Sequence, residues 1–309
     1  MLSTLTEPKY PRAAIGIERT RVTAVELERS GRRYAVRQAA TVELPSHLIE
    51  PSFTERNISD PGQLRVMLEE AASTSGLLNQ RSWSVSLPSD TARTAILTLE
   101  AGGNGKESED ILDWKAEQTF GVSAGELRIS RFKIPKDPDG RPRYLATAVK
   151  LSVIDEYDKI FEGLGWKAGL ILPRAVSETK WLLGDSAAAD SLLISVQDEG
   201  FTALLLRNGE PNVVRSVTCT IAEQDDEIYR LLMFYNDRVG AGSADRLNRF
   251  LVVGDSISAA KVQEISSEAL GQPLTVLGPE DIGLSIPSGG GLRFDDLAAP
   301  AGLATLAWK

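Results

Sequence analysis

Ile15-Gly16-Ile17-Glu18-Arg19-Thr20-Arg21-Val22-Thr23-Ala24-Val25-Glu26-Leu27-Glu28-Arg29-Ser30-Gly31 and Leu193-Ile194-Ser195-Val196-Gln197-Asp198-Glu199-Gly200-Phe201-Thr202-Ala203-Leu204-Leu205-Leu206-Arg207-Asn208-Gly209 follow one plan. Each is an apolar run, a polar turn, a second apolar run and a closing Arg-Ser-Gly or Arg-Asn-Gly. Two apolar runs around a short polar turn read as a β-hairpin. The closing glycines stand 178 positions apart, which points to a duplicated lobe rather than a short-period array. In a phosphate-binding protein such turns hold the nucleotide, and here both lack the residues for that chemistry.

Outward from the first hairpin, Gly31 to Pro45 adds a third strand. Asp60-Pro61 then opens a helix, with Leu64, Met67, Leu68, Ala71 and Ala72 on one face and Gly76 past its end. Ser82 to Pro88 alternates with period two and predicts a half-buried strand. From about residue 90 to 150, short strands at Ala92 to Leu99, Leu127 to Ile134 and Tyr144 to Val149 surround one helix, Ile111 to Phe120. That pattern is a small inserted α+β subdomain. A helix capped by Ser152, a strand at Gly169 to Leu172 and a helix from Arg174 to Leu183 complete a first lobe, 12–183. The second lobe, 190–285, repeats the order: a meander to Thr220, a helix near Glu223 to Val239, a strand at Phe250 to Gly254, a helix at Ser258 to Leu270 and a short strand at Leu274 to Leu277. Gly184 to Asp190 reads as the lobe boundary and Ser288 to Gly291 as a flexible break. A C-terminal segment, 292–309, has its helix from Pro300 to Trp308, packing back on the first lobe. Meander, helix, strand, helix, strand, twice over, is an α/β design with mixed sheets.

At 309 residues and 42% hydrophobic, the chain has enough apolar surface for a two-lobe core. A formal net charge of -9 argues against broad nucleic-acid binding, which needs clustered cations, and an acidic face is repelled by anionic lipid. One cysteine, Cys219, precludes an intramolecular disulfide and fits a reducing compartment; it reads as a buried small hydrophobe. The lone histidine, His47, has no second ligand with which to share a metal, so its expected role is exposed and structural, and no metal site is expected. No run approaches the length of a membrane span, so any membrane role passes through a partner.

The order of elements, together with Val22-Thr23-Ala24-Val25-Glu26-Leu27, Trp114-Lys115-Ala116-Glu117-Gln118, Leu205-Leu206-Arg207-Asn208-Gly209 and Leu277-Gly278-Pro279-Glu280-Asp281, resembles the actin-like ATPase superfamily. Within it, the chain is similar to the PilM family of type IV pilus assembly proteins, from about residue 12 to the end. The resemblance implies an actin-like (ribonuclease H-like) two-lobe fold. It also implies a cytoplasmic protein, peripheral to the inner membrane, that docks the short cytoplasmic tail of a membrane-anchored partner of a pilus or secretion platform. No nucleic acid and no direct membrane insertion are expected, and homo-oligomerisation is left open.

In that superfamily the first hairpin normally reads Asp-x-Gly, then hydroxyl residues and a Lys, with ATP and magnesium as cofactors. Here the segment is Glu18-Arg19-Thr20-Arg21-Val22-Thr23, two residues shorter, without Gly and with Thr23 at the Lys position. Glu18 carries a carboxylate displaced by more than about 1 Å, a scale at which misplacement costs roughly 100-fold in rate. The second hairpin offers Ser195-Val196-Gln197, and Asp198 and Glu199 then bring uncompensated negative charge to where phosphate would lie. The adenosine loop keeps one glycine, Gly254. The expectation is therefore a pseudo-ATPase: no catalytic residue, no cofactor, and degenerate nucleotide positions at Glu18, Thr23, Ser195, Gln197 and Gly254. The alternative is a divergent ATP-binding ATPase or sugar-kinase-like phosphotransferase, and a third possibility is a division-type filament. Arg19 and Arg21 belong either to a solvated face balanced by Glu26 and Glu28, or to a site where they bind an acidic partner or replace lost metal charge. Trp83, Trp166 and Trp181 are core candidates. Trp114, in the insertion, is the candidate partner anchor.

Overall fold

The computed structural model describes residues 9–100, 105–183, 189–239, 247–287 and 291–308. Most of the expected lobe boundary, Gly184 to Asp190, and most of the Ser288 to Gly291 break lie outside the described residues, and Asp190 belongs to the next strand.

The first meander forms as expected: β1 (Ala13–Ile17), β2 (Arg21–Ser30) and β3 (Arg33–Glu43), all antiparallel. Helix α1 (Pro61–Thr74) follows, its first free amides capped by the Asp60 carboxylate, which accepts from Gly62 and Gln63. β4 (Ser82–Leu87) pairs parallel to β1. The insertion comprises β5 (Arg93–Thr98), α2 (Gly105–Phe120), β6 (Leu127–Ile134) and β7 (Arg143–Lys150). The chain returns through α3 (Leu151–Gly163) to β8 (Lys167–Pro173), parallel to β4, and the short α4 (Arg174–Glu178).

The second lobe repeats this plan with β9 (Asp190–Gln197), β10 (Gly200–Arg207), β11 (Glu210–Thr218), α5 (Gln224–Phe234), β12 (Leu247–Val253) and α6 (Ala259–Leu270). A two-residue β13 (Leu284–Ser285) then joins the edge of β3 in the first lobe, and α7 (Phe294–Ala304) runs on into a 3-10 turn, Thr305–Trp308. The sheets run β13-β3-β2-β1-β4-β8, β11-β10-β9-β12 and β5-β7-β6.

Four expectations need correction. β4 is buried on both faces, because it lies between β1 and β8 with helices on either side. Its Trp83 and Val85 enter the core beneath α1 and α3, while Ser84 and Ser86, small enough to admit a helix, are also buried. Ser152 does not cap α3: the cap position is Lys150, without a side-chain hydrogen bond. Leu274 to Leu277 makes one bridge, Val276 to Phe250, rather than a strand. The last helix begins at Phe294, so Pro300 lies inside it rather than at its start.

Helix α7 is buried all round from Asp296 to Ala304, as its apolar run Leu297 to Ala304 requires. It shares one core with Ala14, Val25 and Leu27 of the first sheet and Leu193, Leu204 and Leu251 of the second. Small residues permit this approach. A Cβ on Gly16 would stand 3.0 Å from the Pro300 ring, and one on Gly302 would stand 2.4 Å from the Ser177 carbonyl oxygen. Trp181 anchors the packing by donating its indole N–H to the Ala298 carbonyl at 2.7 Å.

Candidate functional site

The two hairpin turns face each other across a cleft of about 340 Å³. The β1–β2 turn contributes Glu18 to Arg21, closed by the Glu18 amide donating to the Arg21 carbonyl at 2.9 Å. The β9–β10 turn contributes Gln197 to Glu199 and then Gly200, whose φ of +125° and approach to Val217 leave no room for a side chain.

The charges on these turns are matched. Arg19 reaches across to Asp198 and Glu199, each at 3.8 Å, so the pair of carboxylates expected to be uncompensated has its cation in the opposite lobe. Arg21 pairs with Asp296 of α7 and lies 3.7 Å from Asp255. Arg293 holds the same Asp255 at 2.6 Å, and this hydrogen bond keeps the Asp255 carboxyl below its ordinary range.

Deeper, Arg174 binds Glu18 at 3.1 Å and Glu178 at 2.7 Å. Burial works against the Arg174 charge, but Glu18 and Glu178 hold it cationic, above its ordinary pKa. Burial also raises Glu18, against the pull of Arg174 and Arg21. It raises Glu178 to about 6, because desolvation outweighs Arg174 there. At the cleft wall Asp90 is raised by burial and then by Glu199 and Asp198.

The residues expected at degenerate nucleotide positions separate into three groups. Glu18 and Gln197 line the cleft. Gln197 turns its amide back to Thr202 of its own sheet at 2.9 Å. Thr23 and Ser195 are buried behind it, Thr23 sharing a hydrogen bond with Thr41 at 3.0 Å. Gly254 sits at the margin, its amide donating to Asp295 at 2.7 Å. Arg174, Glu178, Asp296 and Arg293 were not anticipated. The i, i+4 spacing of Arg174 and Glu178 behind Pro173 hints at a pair, but nothing local announces its burial.

This donor set does not fit a magnesium-nucleotide. The Glu18 carboxylate is committed to Arg174, the turn opposite presents acids, and phosphate would have to displace Arg19 from both its partners.

A second concavity of about 330 Å³ lies between the insertion and the first sheet. Its walls are Arg128, Ser130 and Thr147 from β6 and β7 and Ala168 to Pro173 of β8, which pairs only with β4 among the described strands. Trp114 does not line it. Trp114 is 54% exposed on α2, and that helix covers the other face of the insertion's sheet, through Leu112, Ala116 and Phe120 against Leu127 and Ala148. The aromatic residue on the groove side of β6 is Phe132, in step with Arg128 and Ser130 and 61% exposed. Strand alternation in Leu127 to Ile134 was the available signal.

No protein-family model matches the chain, and no curated protein sequence does. Solved structures do match. The structure described as a "PilM-PilN type IV pilus biogenesis complex" superposes with a TM-score of 0.78 over 98% of this chain and 100% of that one, at 15% identity. The fold is PilM-like. The cytoplasmic domain of EpsL, an inner-membrane component of the Vibrio cholerae type II secretion system, matches at TM-score 0.49 and 12% identity, covering 96% of this chain and 93% of that one. A Bacteroides thetaiotaomicron protein of actin-like ATPase fold matches at 0.46 and 11%, covering 95% and 96%. In PilM-like terms, the hairpin cleft is the interlobe cleft of a two-lobe actin-like fold, and the second concavity lies between its first lobe and the inserted subdomain.

Proposed function

We propose that this chain is a non-catalytic, actin-like scaffold of a type IV pilus inner-membrane platform, or of the related type II secretion platform. It holds the cytoplasmic tail of a membrane-anchored partner and so resides in the cytoplasm beside the inner membrane. The observation that carries this reading is the pairing of an end-to-end PilM-like fold with a cleft in which arginine–carboxylate bridges, those of Arg19 between the lobes and that of Arg174 within the first, stand in the phosphate turns. Phosphoryl transfer depends on positioned positive charge that is free to stabilise phosphate, and here that charge is spent inside the protein.

The tail's place is the groove beside β8. An extended peptide adds to a free strand edge through main-chain hydrogen bonds, while apolar residues of the groove receive alternate side chains. Leu87, Val149, Ile154 and Ile171 supply that apolar lining, and Phe132 stands on the same side of the insertion. Cross-linking and co-purification from the native host are expected to recover a protein with a short cytoplasmic tail and one membrane span. Ser130→Arg, at an exposed groove position, is expected to lose it without lowering the unfolding midpoint. Recovery of no membrane-anchored protein, or retention of it by the Ser130→Arg variant, defeats the proposal.

A further inference from the structure

The end of the molecule away from the cleft gathers cations. β2 leaves the cleft at Arg21 and reaches Arg29 eight residues on, roughly 27 Å away at about 3.4 Å per residue. There, among the described residues, Arg29, Arg32, Lys180 and Arg249 line a concavity of about 450 Å³ with a single carboxylate, Asp281. In a chain of net charge -9 this is a marked segregation, hidden from any whole-chain count.

Two of these cations lack a counter-charge. Arg29 donates to the carbonyls of Gly31 at 2.8 Å and Trp308 at 3.3 Å, and its guanidinium lies 5.9 Å from the centre of the Tyr34 ring. Arg249 donates to the Trp181 carbonyl at 3.2 Å, while its Nε is buried without an acceptor. Carbonyl dipoles fix both side chains in place without neutralising them, and among the described residues neither forms an ion pair. Arg29 is exposed and Arg249 half-buried; of the other covered guanidiniums, Arg21, Arg174 and Arg207 each meet a carboxylate, while Arg143, like Arg249, is held by carbonyls. Asp281 is itself occupied, accepting the Gly278 amide at 2.8 Å. Two positioned guanidinium groups and an unmet buried donor at one concave site are what a multiply charged oxyanion would complete.

We propose that the pocket between the β2–β3 turn, the segment after α4 and the start of β12 binds a phosphate monoester or diester group. A phosphate offers three or more oxygen acceptors in several directions and so can serve two forks at once. The group arrives either on a soluble phosphate ester or on a lipid headgroup, and the same residues would hold it.

The test uses the intact chain in two arms. In the first, calorimetry follows titration with inorganic phosphate and glycerol phosphate. In the second, the chain is sedimented with vesicles of phosphatidylglycerol and phosphatidylcholine in equal parts, against phosphatidylcholine alone. Arg29→Ala is expected to weaken binding tenfold or more, and Asp281→Asn, which keeps an acceptor for Gly278 but removes the opposing charge, to strengthen it several-fold. Binding in the first arm with that order of variants assigns a soluble ester; binding only to the anionic vesicles, with the same order, assigns a headgroup. Should Arg29→Ala fail to fold, the gain in Asp281→Asn decides alone. Absence of binding in both arms, or binding that Asp281→Asn does not strengthen, overturns the proposal.

Discussion

Removing the Arg174 guanidinium would leave Glu18 and Glu178 in the protein interior without their shared cation. Breaking one side of a buried ion pair costs about 3–5 kcal/mol, so Arg174→Ala is expected to lower stability by that order in denaturant unfolding. Glu178 carries a pH signature. Its folded pKa, near 6, lies above the ordinary 4.5, so between those values the folded chain keeps a proton that the unfolded chain has released. Stability is therefore full below 4.5 and falls by about 2 kcal/mol as pH rises through 6, and Glu178→Gln is expected to flatten that slope in urea titrations spanning the range. Arg19 is different in kind. It and its partners are substantially exposed, so Arg19→Ala is expected to cost under about 1 kcal/mol. Arg19→Asp gathers like charges across the cleft and costs more, and Asp198→Arg added to it restores stability in a double-mutant cycle.

At the scale of elements, α7 and the insertion make separate demands. Gly302→Ala forces a Cβ toward the Ser177 carbonyl and is expected to destabilise by about 1–3 kcal/mol, read as a lowered thermal midpoint. Phe132→Ala removes an exposed ring, so it is expected to leave that midpoint unchanged while weakening partner capture by about tenfold. These two residues also show how far the sequence was legible. Hairpins, the insertion and α1 could be read because each is written in local alternation, turn glycines or a cap such as Asp60. β4 misled because Ser84 and Ser86 look solvent-facing until a helix from the far end of the chain covers them. Pro300 misled because proline normally marks a helix start, and its place within α7 follows from contact with Gly16, 284 positions earlier. Within the cleft, Glu18 and Gln197 were found from hairpin position. Arg174, Arg293 and Asp296 were not, since a long-range ion pair leaves no periodic trace.

Across the whole molecule, the ion pairs in the cleft make a claim about ligands. A nucleotide at about 100 times its dissociation constant would stabilise the fold by about 2.7 kcal/mol. No shift of the unfolding midpoint is expected with millimolar magnesium-ATP, and a clear rise would overturn the non-catalytic reading. The position of α7 has a further effect, on how the protein is made. The cores facing one another across the two sheets share α7, and β13 closes the edge of β3, so residues from 284 to 304 complete surfaces begun near residue 13. On the ribosome, neither lobe is finished when its own strands have emerged. The inner faces of both sheets stay uncovered until synthesis has passed Ala304, a long interval for chaperones to bridge, and a chain cut short before that helix would be left for proteolysis rather than retained as a working half.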